Sequence, residues 1–175
     1  MILGSLDFES VTSKSDLLAE SVANGLNGLN VRDIFVAKID PLLSDTENFC
    51  EHYRIDINNA ANCVVLEAKR SDRLWYIACV VLGANKVDVN GVVRRQVDAR
   101  KISFAPRDVA VTLTKMEYGG VSPIGLPSDW PILIDTQVVQ GRRAIIGSGL
   151  RGSKLLVSSE LFAKLPNVSI LDLAK

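Results

Sequence analysis

The sequence predicts a mixed-sheet fold of the α/β or α+β class in a single domain. Segments with strand and helix patterns are mixed along the chain, but they do not follow the strict βαβ alternation of a doubly wound sheet. The chain has 175 residues, of which 47% are hydrophobic and 23% are charged. It is therefore long enough and apolar enough to bury a stable core as one domain.

The first third of the chain predicts two helices and a strand. Residues 15–29 carry apolar side chains at near-helical spacing and predict an amphipathic helix, and residues 31–39 alternate as in a strand. Residues 44–47 read Ser-Asp-Thr-Glu, a capping box with serine as the N-cap and glutamate three positions later. The box predicts that a second helix starts here, with Phe49 and Tyr53 on one face.

The middle of the chain predicts a buried β-hairpin. Residues 62–68 and 74–82 are β-rich apolar runs, and a charged turn separates them. The pattern then predicts a helix over 87–97, a strand over 101–104, and a helix over 106–115 in which Pro106 suits the first turn. The remaining predicted elements are strands over 131–135, 143–146, 154–157 and 168–173 and a short helix over 159–165.

The charge balance argues against a polybasic nucleic-acid-binding protein. Twenty Lys and Arg residues are matched by twenty Asp and Glu residues, whereas binding by counterion release needs many cations. A local basic cluster nevertheless exists, formed by Arg94, Arg95, Arg100 and Lys101. Two interpretations stay open for it: contact with a nucleic-acid backbone, or a simply solvated surface.

Cysteine and histidine usage argues against a metal site or a disulfide framework. The three cysteines, Cys50, Cys63 and Cys79, contain no C-x-x-C pair, and His52 is the single histidine. We expect no cofactor and no metal, and we favour buried inert thiols for Cys63 and Cys79. The N-terminal segment lacks the features of a secretory signal, and no apolar run approaches the ~20 residues of a membrane span. These features predict a cytoplasmic protein with no membrane partner.

A glycine-rich segment at 147–152 matches the G-x-G-x-x-G pattern, and Asp172 follows twenty residues after Gly152. A dinucleotide-binding loop requires a helix that begins at the loop and holds the pyrophosphate at its N-terminus. The residues that follow, 153–158, are too few and too apolar for such a helix. A loop between two strands is the favoured interpretation, and dinucleotide binding is the weaker alternative.

A second glycine-rich segment, residues 119–125, reads Gly-Gly-Val-Ser-Pro-Ile-Gly. Adjacent glycines permit positive φ and let a ligand approach the backbone. Consecutive amides can form a nest for an anion or an oxyanion, and Pro123 stiffens the loop. The alternative is an ordinary turn between a helix and a strand.

A series of short blocks also carries a resemblance. The most specific block is Tyr-Gly-Gly-Val-Ser-Pro-Ile-Gly-Leu over residues 118–126. The others are residues 62–66, 77–82, 87–90, 101–105, 134–135 and 146–152. In this order and spacing they resemble the YbaK/EbsC family, also called the YbaK/prolyl-tRNA synthetase-associated editing domain. The resemblance extends over about residues 58–175, and residues 1–57 are a more variable part of the same predicted domain, 1–175.

The resemblance implies a compact domain with a central mixed β-sheet flanked by helices. It also implies trans-editing, which is hydrolysis of the ester between a wrong amino acid and the 3′ end of a tRNA. The loop formed by Gly119, Gly120, Val121, Ser122 and Pro123 would offer backbone amides to the aminoacyl carbonyl as an oxyanion hole. In the family, water and the substrate's own hydroxyl make the attack. The implied partners are an aminoacyl-tRNA, through its 3′ end, and an aminoacyl-tRNA synthetase.

One position departs from the family pattern. The family usually has a lysine where this chain has Asn62, and that lysine is implied to pair with the terminal phosphate or ribose. Asparagine forms hydrogen bonds but carries no charge. Three outcomes stay open: another cation takes the role, the substrate differs, or activity is lost. The candidate replacement cations are Arg151, Lys154, Lys86 and Lys69.

Other candidate substrate-binding residues also follow from the resemblance. Asp135 would hold the amino group of the bound amino acid or orient water, and the alternative is a solvated strand-end acid. Arg151 suits bidentate contact with a phosphate, and a surface salt bridge is the alternative. The remaining candidates are Gly125, Ser148, Gly149 and Tyr53.

The sequence therefore predicts a trans-editing aminoacyl-tRNA deacylase. The alternative hypothesis is a catalytically silent module of the same fold that binds tRNA or a nucleotide. Asn62 is the main support for this alternative, because it replaces a charged residue with a neutral one.

Overall fold

The structure is a computed structural model that describes residues 1–29 and 31–175, and it is built around β-sheets. The strands are β1 Ile2–Leu3, β2 Leu6–Asp7, β3 Glu9–Ser10, β4 Phe35–Lys38, β5 Ala61–Arg70, β6 Arg73–Leu82, β7 Lys101–Phe104, β8 Ile132–Asp135, β9 Arg143–Gly147, β10 Ser153–Ser158 and β11 Val168–Leu171.

The larger sheet is mixed and has the strand order β11-β8-β6-β5-β7. Strand β8 pairs in parallel with β6 and with β11, whereas β5 pairs antiparallel with β6 and with β7. A second, antiparallel sheet has the order β3-β4-β10-β9, and β1 pairs with β2 alone. The two larger sheets meet where Ala60 forms a parallel bridge with Ile145.

The helices are short. They are α1 Glu20–Gly25, α2 Thr46–Tyr53, α3 Arg94–Gln96, α4 Arg107–Thr114 and α5 Thr136–Gln140, and a π-helical turn, Val89–Val93, leads directly into α3. Single 3-10 turns cover Val11–Ser13, Ser15–Leu17, Val31–Asp33, Pro41–Leu43, Ile57–Asn59 and Ser159–Lys164. A mixed sheet with flanking helices is the predicted fold class, which the structure confirms; the second sheet was not predicted.

The predicted buried hairpin is confirmed as β5 and β6, with Asn62 opposite Val81 and Ala68 opposite Trp75. Its side chains alternate between two hydrophobic clusters. One face, which includes Ala78, packs toward the second sheet, and the other face, which includes Leu66, packs under the π-helical turn. Burial on both faces explains why these strands read as nearly continuous apolar runs.

The helix predicted over 15–29 is wrong in its extent. Leu18 is extended, with φ −119° and ψ 142°, so α1 begins only at Glu20. The amide of Ala19 donates to the carbonyl of Ser148 at 3.1 Å, which is a tertiary contact that the local pattern does not contain. The strand predicted over 31–39 shortens to β4, and Asn30 lies outside the described residues.

The capping box is also corrected, because Asp45 and not Ser44 caps α2. The Asp45 carboxylate accepts hydrogen bonds from the amides of Glu47 and Asn48 at 3.1 and 3.3 Å. The predicted shared face of Phe49 and Tyr53 is confirmed, with ring centroids 5.4 Å apart. Ser44 is instead buried, with its carbonyl directed at the cavity described below.

The helix predicted over 87–97 contains the π-helical turn. The Asp88 carboxylate accepts from the amides of Gly91 and Val92 at 3.1 and 3.2 Å, and a Cβ at Gly91 would collide with that carboxylate. The strand over 101–104 and the helix after Pro106 are confirmed, whereas the predicted helix over 159–165 is a 3-10 turn.

Candidate active site

Several parts of the chain meet around a cavity of about 500 Å³. Its walls are the start of α2, the first half of β5, the connection from β7 into α4, and two loops. We call these loops the glycine loop, residues 119–125, and the hairpin loop, residues 148–152 between β9 and β10. A cavity of this volume lies within the ~300–1,000 Å³ that is usual for small-molecule sites.

The glycine loop rests on the hairpin loop. The amide of Gly149 donates to the carbonyl of Gly120 at 2.7 Å, and the amide of Glu117 donates to the carbonyl of Gly149 at 2.8 Å. A Cβ at Gly120 would lie 2.5 Å from the carbonyl oxygen of Leu150. Gly119 and Gly149 have φ of +88° and +85°, the left-handed region that favours glycine. The two glycine-rich segments therefore need their glycines because the backbones touch.

This arrangement contradicts the dinucleotide interpretation of residues 147–152. Strand β10, and not a helix, follows the motif, so a pyrophosphate would find no helix N-terminus there. The favoured interpretation, a loop between two strands, is confirmed.

Two residues of the glycine loop, Gly119 and Val121, line the cavity. The amide of Gly120 donates to the carbonyl of Glu117 at 3.0 Å, and the amide of Ser122 lies 3.2 Å from the Met116 sulfur. The structure places Gly120, Ser122 and Pro123 behind the cavity wall, where the Ser122 hydroxyl accepts from the amide of Ile124. Gly119, which has no side chain, thus presents its backbone to a ligand, and Val121 lines the wall beside it.

Asn62 lines the same cavity and contacts α2. Its Oδ1 accepts a hydrogen bond from the Thr46 hydroxyl. Thr46 is the first residue of α2, and Asp45 caps it, so the helix start fixes the position of the amide side chain. The amide nitrogen of Asn62 is a donor that carries no charge.

Lys154 supplies a buried positive charge to this cavity. It lies on β10, its relative exposure is 8%, and its Nζ donates to the carbonyl of Ser44 at 3.0 Å. The Nζ also lies 5.4 Å from the centroid of the Phe49 ring. Burial lowers the pKa of Lys154 from 10.5 to about 8, and the electrostatic effects of Cys50 and Asp45 partly oppose this. At pH 7 the ammonium is therefore still charged.

Two guanidinium groups lie at the mouth of the cavity. Arg151 donates to the carbonyl of Pro41 at 3.2 Å, and its backbone amide donates to the Glu117 carboxylate at 2.6 Å. The Arg107 guanidinium lies 4.5 Å from the centroid of the Tyr118 ring, as in a cation–π contact. The mouth therefore combines two cations with one half-exposed aromatic ring.

Asp135 and Tyr53 lie outside the cavity lining. The buried Asp135 carboxylate accepts from the amides of Gln137, Leu173 and Ala174 at 2.9, 2.8 and 2.9 Å, so it caps α5 and holds the C-terminal segment. The Tyr53 hydroxyl accepts from the amide of Asp40 at 2.9 Å. Both polar groups have structural partners where the structure places them.

The other predicted residues support the wall from behind. The Ser148 hydroxyl bonds the Ser153 hydroxyl at 2.7 Å inside the hairpin loop. A Cβ at Gly149 would collide with Ala19, and Gly25 approaches Gly125 so closely that a Cβ at Gly25 would lie 2.5 Å from the Gly125 amide nitrogen. Among the candidate cations, Lys69 pairs with Glu67 at 2.9 Å, and neither Lys69 nor Lys86 lines the cavity.

Sequence reasoning missed several residues of the cavity wall. Ser44 and Thr46 belong to the segment that was interpreted as a helix cap. Arg107 lies in the predicted helix over 106–115, where no local pattern indicated a site. Cys63 also lines the cavity, and burial raises the pKa of its thiol to about 12. A thiol that stays protonated is a poor nucleophile.

Across residues 1–29 and 31–175, no cluster of three or more His, Cys, Asp or Glu side chains is placed to hold a metal ion. No helix within those ranges is long and apolar enough to cross a membrane.

The chain belongs to the aminoacyl-tRNA editing domain family, whose model matches residues 40–165. The matched span contains the glycine loop, the hairpin loop, Asn62 and Lys154. The family defines an editing role, with aminoacyl-tRNA as the class of substrate. No curated protein sequence matches the chain significantly.

Solved structures share the fold. A crystal structure described as a candidate trans-editing enzyme for prolyl-tRNA synthetase is 16% identical and covers 90% of this chain and 96% of its own, with a TM-score of 0.76. A scaffold protein used in epitope backbone grafting is 16% identical, covers 90% and 97%, and has a TM-score of 0.77. A protein described as hypothetical is 15% identical, covers 89% and 100%, and has a TM-score of 0.76. At these identities the likeness establishes the fold.

Proposed function

We propose that this protein is a trans-editing aminoacyl-tRNA deacylase that hydrolyses the ester between an amino acid and the 3′-terminal ribose of a tRNA. The observation that carries the proposal is that one cavity is lined by Gly119 and Val121 of the glycine loop, by Asn62, and by the buried cation Lys154. These groups match the parts of the substrate: a carbonyl that becomes an oxyanion, a ribose, and a terminal phosphate.

The glycine loop is suited to stabilise the transition state. When water attacks the ester carbonyl, a bond forms between the water oxygen and the carbonyl carbon, and negative charge develops on the carbonyl oxygen. In this proposal the backbone amides of Gly119 and Val121 donate to this oxygen, whereas the amide of Gly120 is already bonded to the Glu117 carbonyl. The carbon–oxygen bond to the ribose then breaks, and the ribose hydroxyl leaves with a proton from the attacking water. Loss of one such donor typically raises the barrier by ~3 kcal/mol.

Lys154 is the cation that replaces the family lysine in this proposal. An ammonium has three N–H donors, and among the described residues the Ser44 carbonyl is its one hydrogen-bond acceptor. Two donors are thus left for an anionic oxygen of the substrate. Asn62, held by Thr46, donates through its amide nitrogen to a neutral oxygen such as that of the ribose. In this proposal the charge comes from β10 of the second sheet, on the wall of the same cavity.

The test is release of amino acid from tRNAs charged with alanine, cysteine, serine or threonine. We expect at least one charged tRNA to be hydrolysed faster than in buffer, and replacement of Gly119 by valine to abolish this activity. The Gly141→Val variant is the matched control, because the nearest atom to a Cβ at Gly141 is 3.5 Å away and the residue lies outside the cavity.

The alternative function, a silent binding module, predicts a different result. Such a module would bind charged tRNA in a filter-binding assay but release no amino acid above the buffer rate. Hydrolysis that is equally fast in the Gly119→Val variant would overturn the role of the glycine loop.

A further inference from the structure

A second groove, of about 450 Å³, lies beside the cavity at the edge of the larger sheet. It is lined by Lys69 of β5, Arg94 of α3, and Arg100 and Lys101 at the start of β7. All four side chains belong to exposed residues. Strand β7 is the edge strand, so this side of the sheet is open to a partner.

The groove lies at the β7 edge of the sheet; one side of it shares a face with the cavity, whereas Arg94 comes from the helix that follows the π-helical turn on the opposite face. Val65 lines the cavity, and the side chains at 67 and 69 project from the same face because side chains alternate along a strand. On β7, Ser103 faces Glu67 and Lys101 faces Lys69. Lys69 is four positions after Val65 on β5, which is about 13 Å along the strand.

Few carboxylates neutralise this groove. Lys69 pairs at 2.9 Å with Glu67, a carboxylate that also lines the groove, but no carboxylate among the described residues forms an ion pair with Arg94, Arg100 or Lys101. Lys69 and Lys101 also stand directly opposite each other in the ladder, and like charges in that arrangement are destabilising. A bound anion would remove this repulsion.

Protection of the sheet edge is the competing explanation. A lysine on an edge strand prevents pairing with another chain, and Lys101 alone would serve that purpose. Arg94 belongs to α3 and has no part in the ladder, yet it lines the same groove. The convergence of cations from separate elements favours an anionic ligand.

We propose that this groove binds the phosphates of the unpaired 3′ end of the tRNA whose terminal residue occupies the cavity. The proposal rests on the proposed function and adds the path that the tRNA takes. At a rise of ~3.4 Å per stacked nucleotide, 13 Å corresponds to about four nucleotides. The distance from the cavity wall to Lys69 is therefore that of a short single strand.

Phe104 lines the cavity, and the residue before it, Ser103, lines the groove. Phe104 is 62% exposed. Exposed aromatic rings are stacking platforms for bases in single-stranded nucleic acids. Phe104 stacks on a base of the entering strand, between the terminal adenosine in the cavity and the phosphates over Lys101.

The experiment measures binding of uncharged tRNA to a double charge reversal, Arg100→Glu with Lys101→Glu. The matched control is Arg142→Glu with Lys164→Glu, which makes the same change of net charge at exposed residues outside both grooves. Fluorescence anisotropy gives the Kd at several salt concentrations, for an intact tRNA and for one that lacks its unpaired 3′ end. Uncharged tRNA keeps this test independent of catalysis.

We expect the groove variant to bind intact tRNA at least tenfold more weakly than the control. The slope of log Kd against log salt concentration should be smaller by about 0.7 for each phosphate that the variant no longer binds. The truncated tRNA should bind both variants equally. The milder pair Arg100→Gln with Lys101→Gln should show the same pattern at lower amplitude, which guards against misfolding of the reversed variant.

Turnover separates the two proposals. With a charged tRNA that the wild type hydrolyses, the groove variant should raise KM and leave kcat unchanged, and an aminoacyl-adenosine ester should be hydrolysed normally. Equal binding by groove and control variants, or an equal loss with truncated tRNA, would overturn the groove proposal even in an active enzyme. If the wild type hydrolyses nothing, the proposed function fails, and the binding data still decide the groove.

Discussion

Replacement of Lys154 by methionine tests the most consequential feature of the cavity, its buried charge. Methionine keeps the unbranched shape of the side chain and removes the ammonium. Burial lowers the pKa of Lys154 from 10.5 to about 8, and a difference of this size corresponds to about 3 kcal/mol of folding free energy. The charged side chain therefore destabilises the fold at neutral pH, and the methionine variant escapes that penalty.

The sign follows from proton binding. Between pH 8 and pH 10.5 the unfolded chain keeps a proton on this lysine that the folded chain has lost, so the stability of the wild type rises with pH through that window. Below pH 8 both forms are protonated and the full penalty remains. The variant also loses the hydrogen bond to the Ser44 carbonyl, which offsets part of its gain by ~1 kcal/mol at every pH.

The measurement is urea unfolding of both proteins at pH 7 and at pH 10. We expect the difference in unfolding free energy between Lys154→Met and the wild type to change by about 2.5 kcal/mol across that range, and the hydrogen-bond term cancels in this comparison. The matched control is Lys38→Met, which alters an exposed lysine on the neighbouring strand β4. The control difference should stay flat with pH.

Two results would refute the reasoning. A difference that does not depend on pH would mean that water or a rearrangement solvates the Lys154 ammonium in the folded chain. A substrate KM that is unchanged in Lys154→Met would remove the lysine from substrate binding, because a hydrogen bond to a charged group is worth ~1.5–3 kcal/mol, or about 10- to 150-fold.

Three further predictions concern the same cavity. The ratio kcat/KM should fall as the pH rises above about 8, when Lys154 loses its proton, and the methionine variant should lack this decline; a shared decline would assign it to another group. Gly120→Ala should destabilise the protein by ~1–3 kcal/mol and lower its activity, because the added Cβ would lie 2.5 Å from the Leu150 carbonyl oxygen. The control variant Gly141→Ala should change neither stability nor activity, and thermal melts and hydrolysis rates measure both effects. Cys63→Ala should keep kcat, because burial raises the pKa of that thiol to about 12; a loss of more than a hundredfold would make the thiol a participant.

The sequence predicted the central hairpin well, because both faces of β5 and β6 are buried and their composition is correspondingly apolar. Local capping chemistry was less reliable. Both Ser44 and Asp45 can cap a helix, and the choice depends on burial of Ser44 against Lys154, which no local pattern contains. The long helix predicted from residue 15 failed for a related reason, since α1 begins where Ala19 bonds the hairpin loop.

The candidate site was predictable only in part. The glycine loop stood out by composition, and Arg151 and Lys154 were recognised as cations in the right region of the chain. The burial of Lys154 was not visible, because a lysine in a strand ordinarily faces water. It lies between β4 and β9 in the second sheet, and the neighbours that bury it on the β4 side, Ala37 and Ser44, are more than a hundred residues away in the chain.

The contact between the two glycine-rich loops bears on how this activity could be moved or abolished. The geometry of the Gly119–Val121 backbone depends partly on Gly149 of the hairpin loop, a residue that does not line the cavity. A graft of residues 117–127 onto another scaffold would carry the sequence of the oxyanion site without its shape. Conversely, a side chain introduced at Gly149 would lower activity only by displacing the backbone of the glycine loop. A mutational screen would then find a loss of activity at a residue that does not line the cavity.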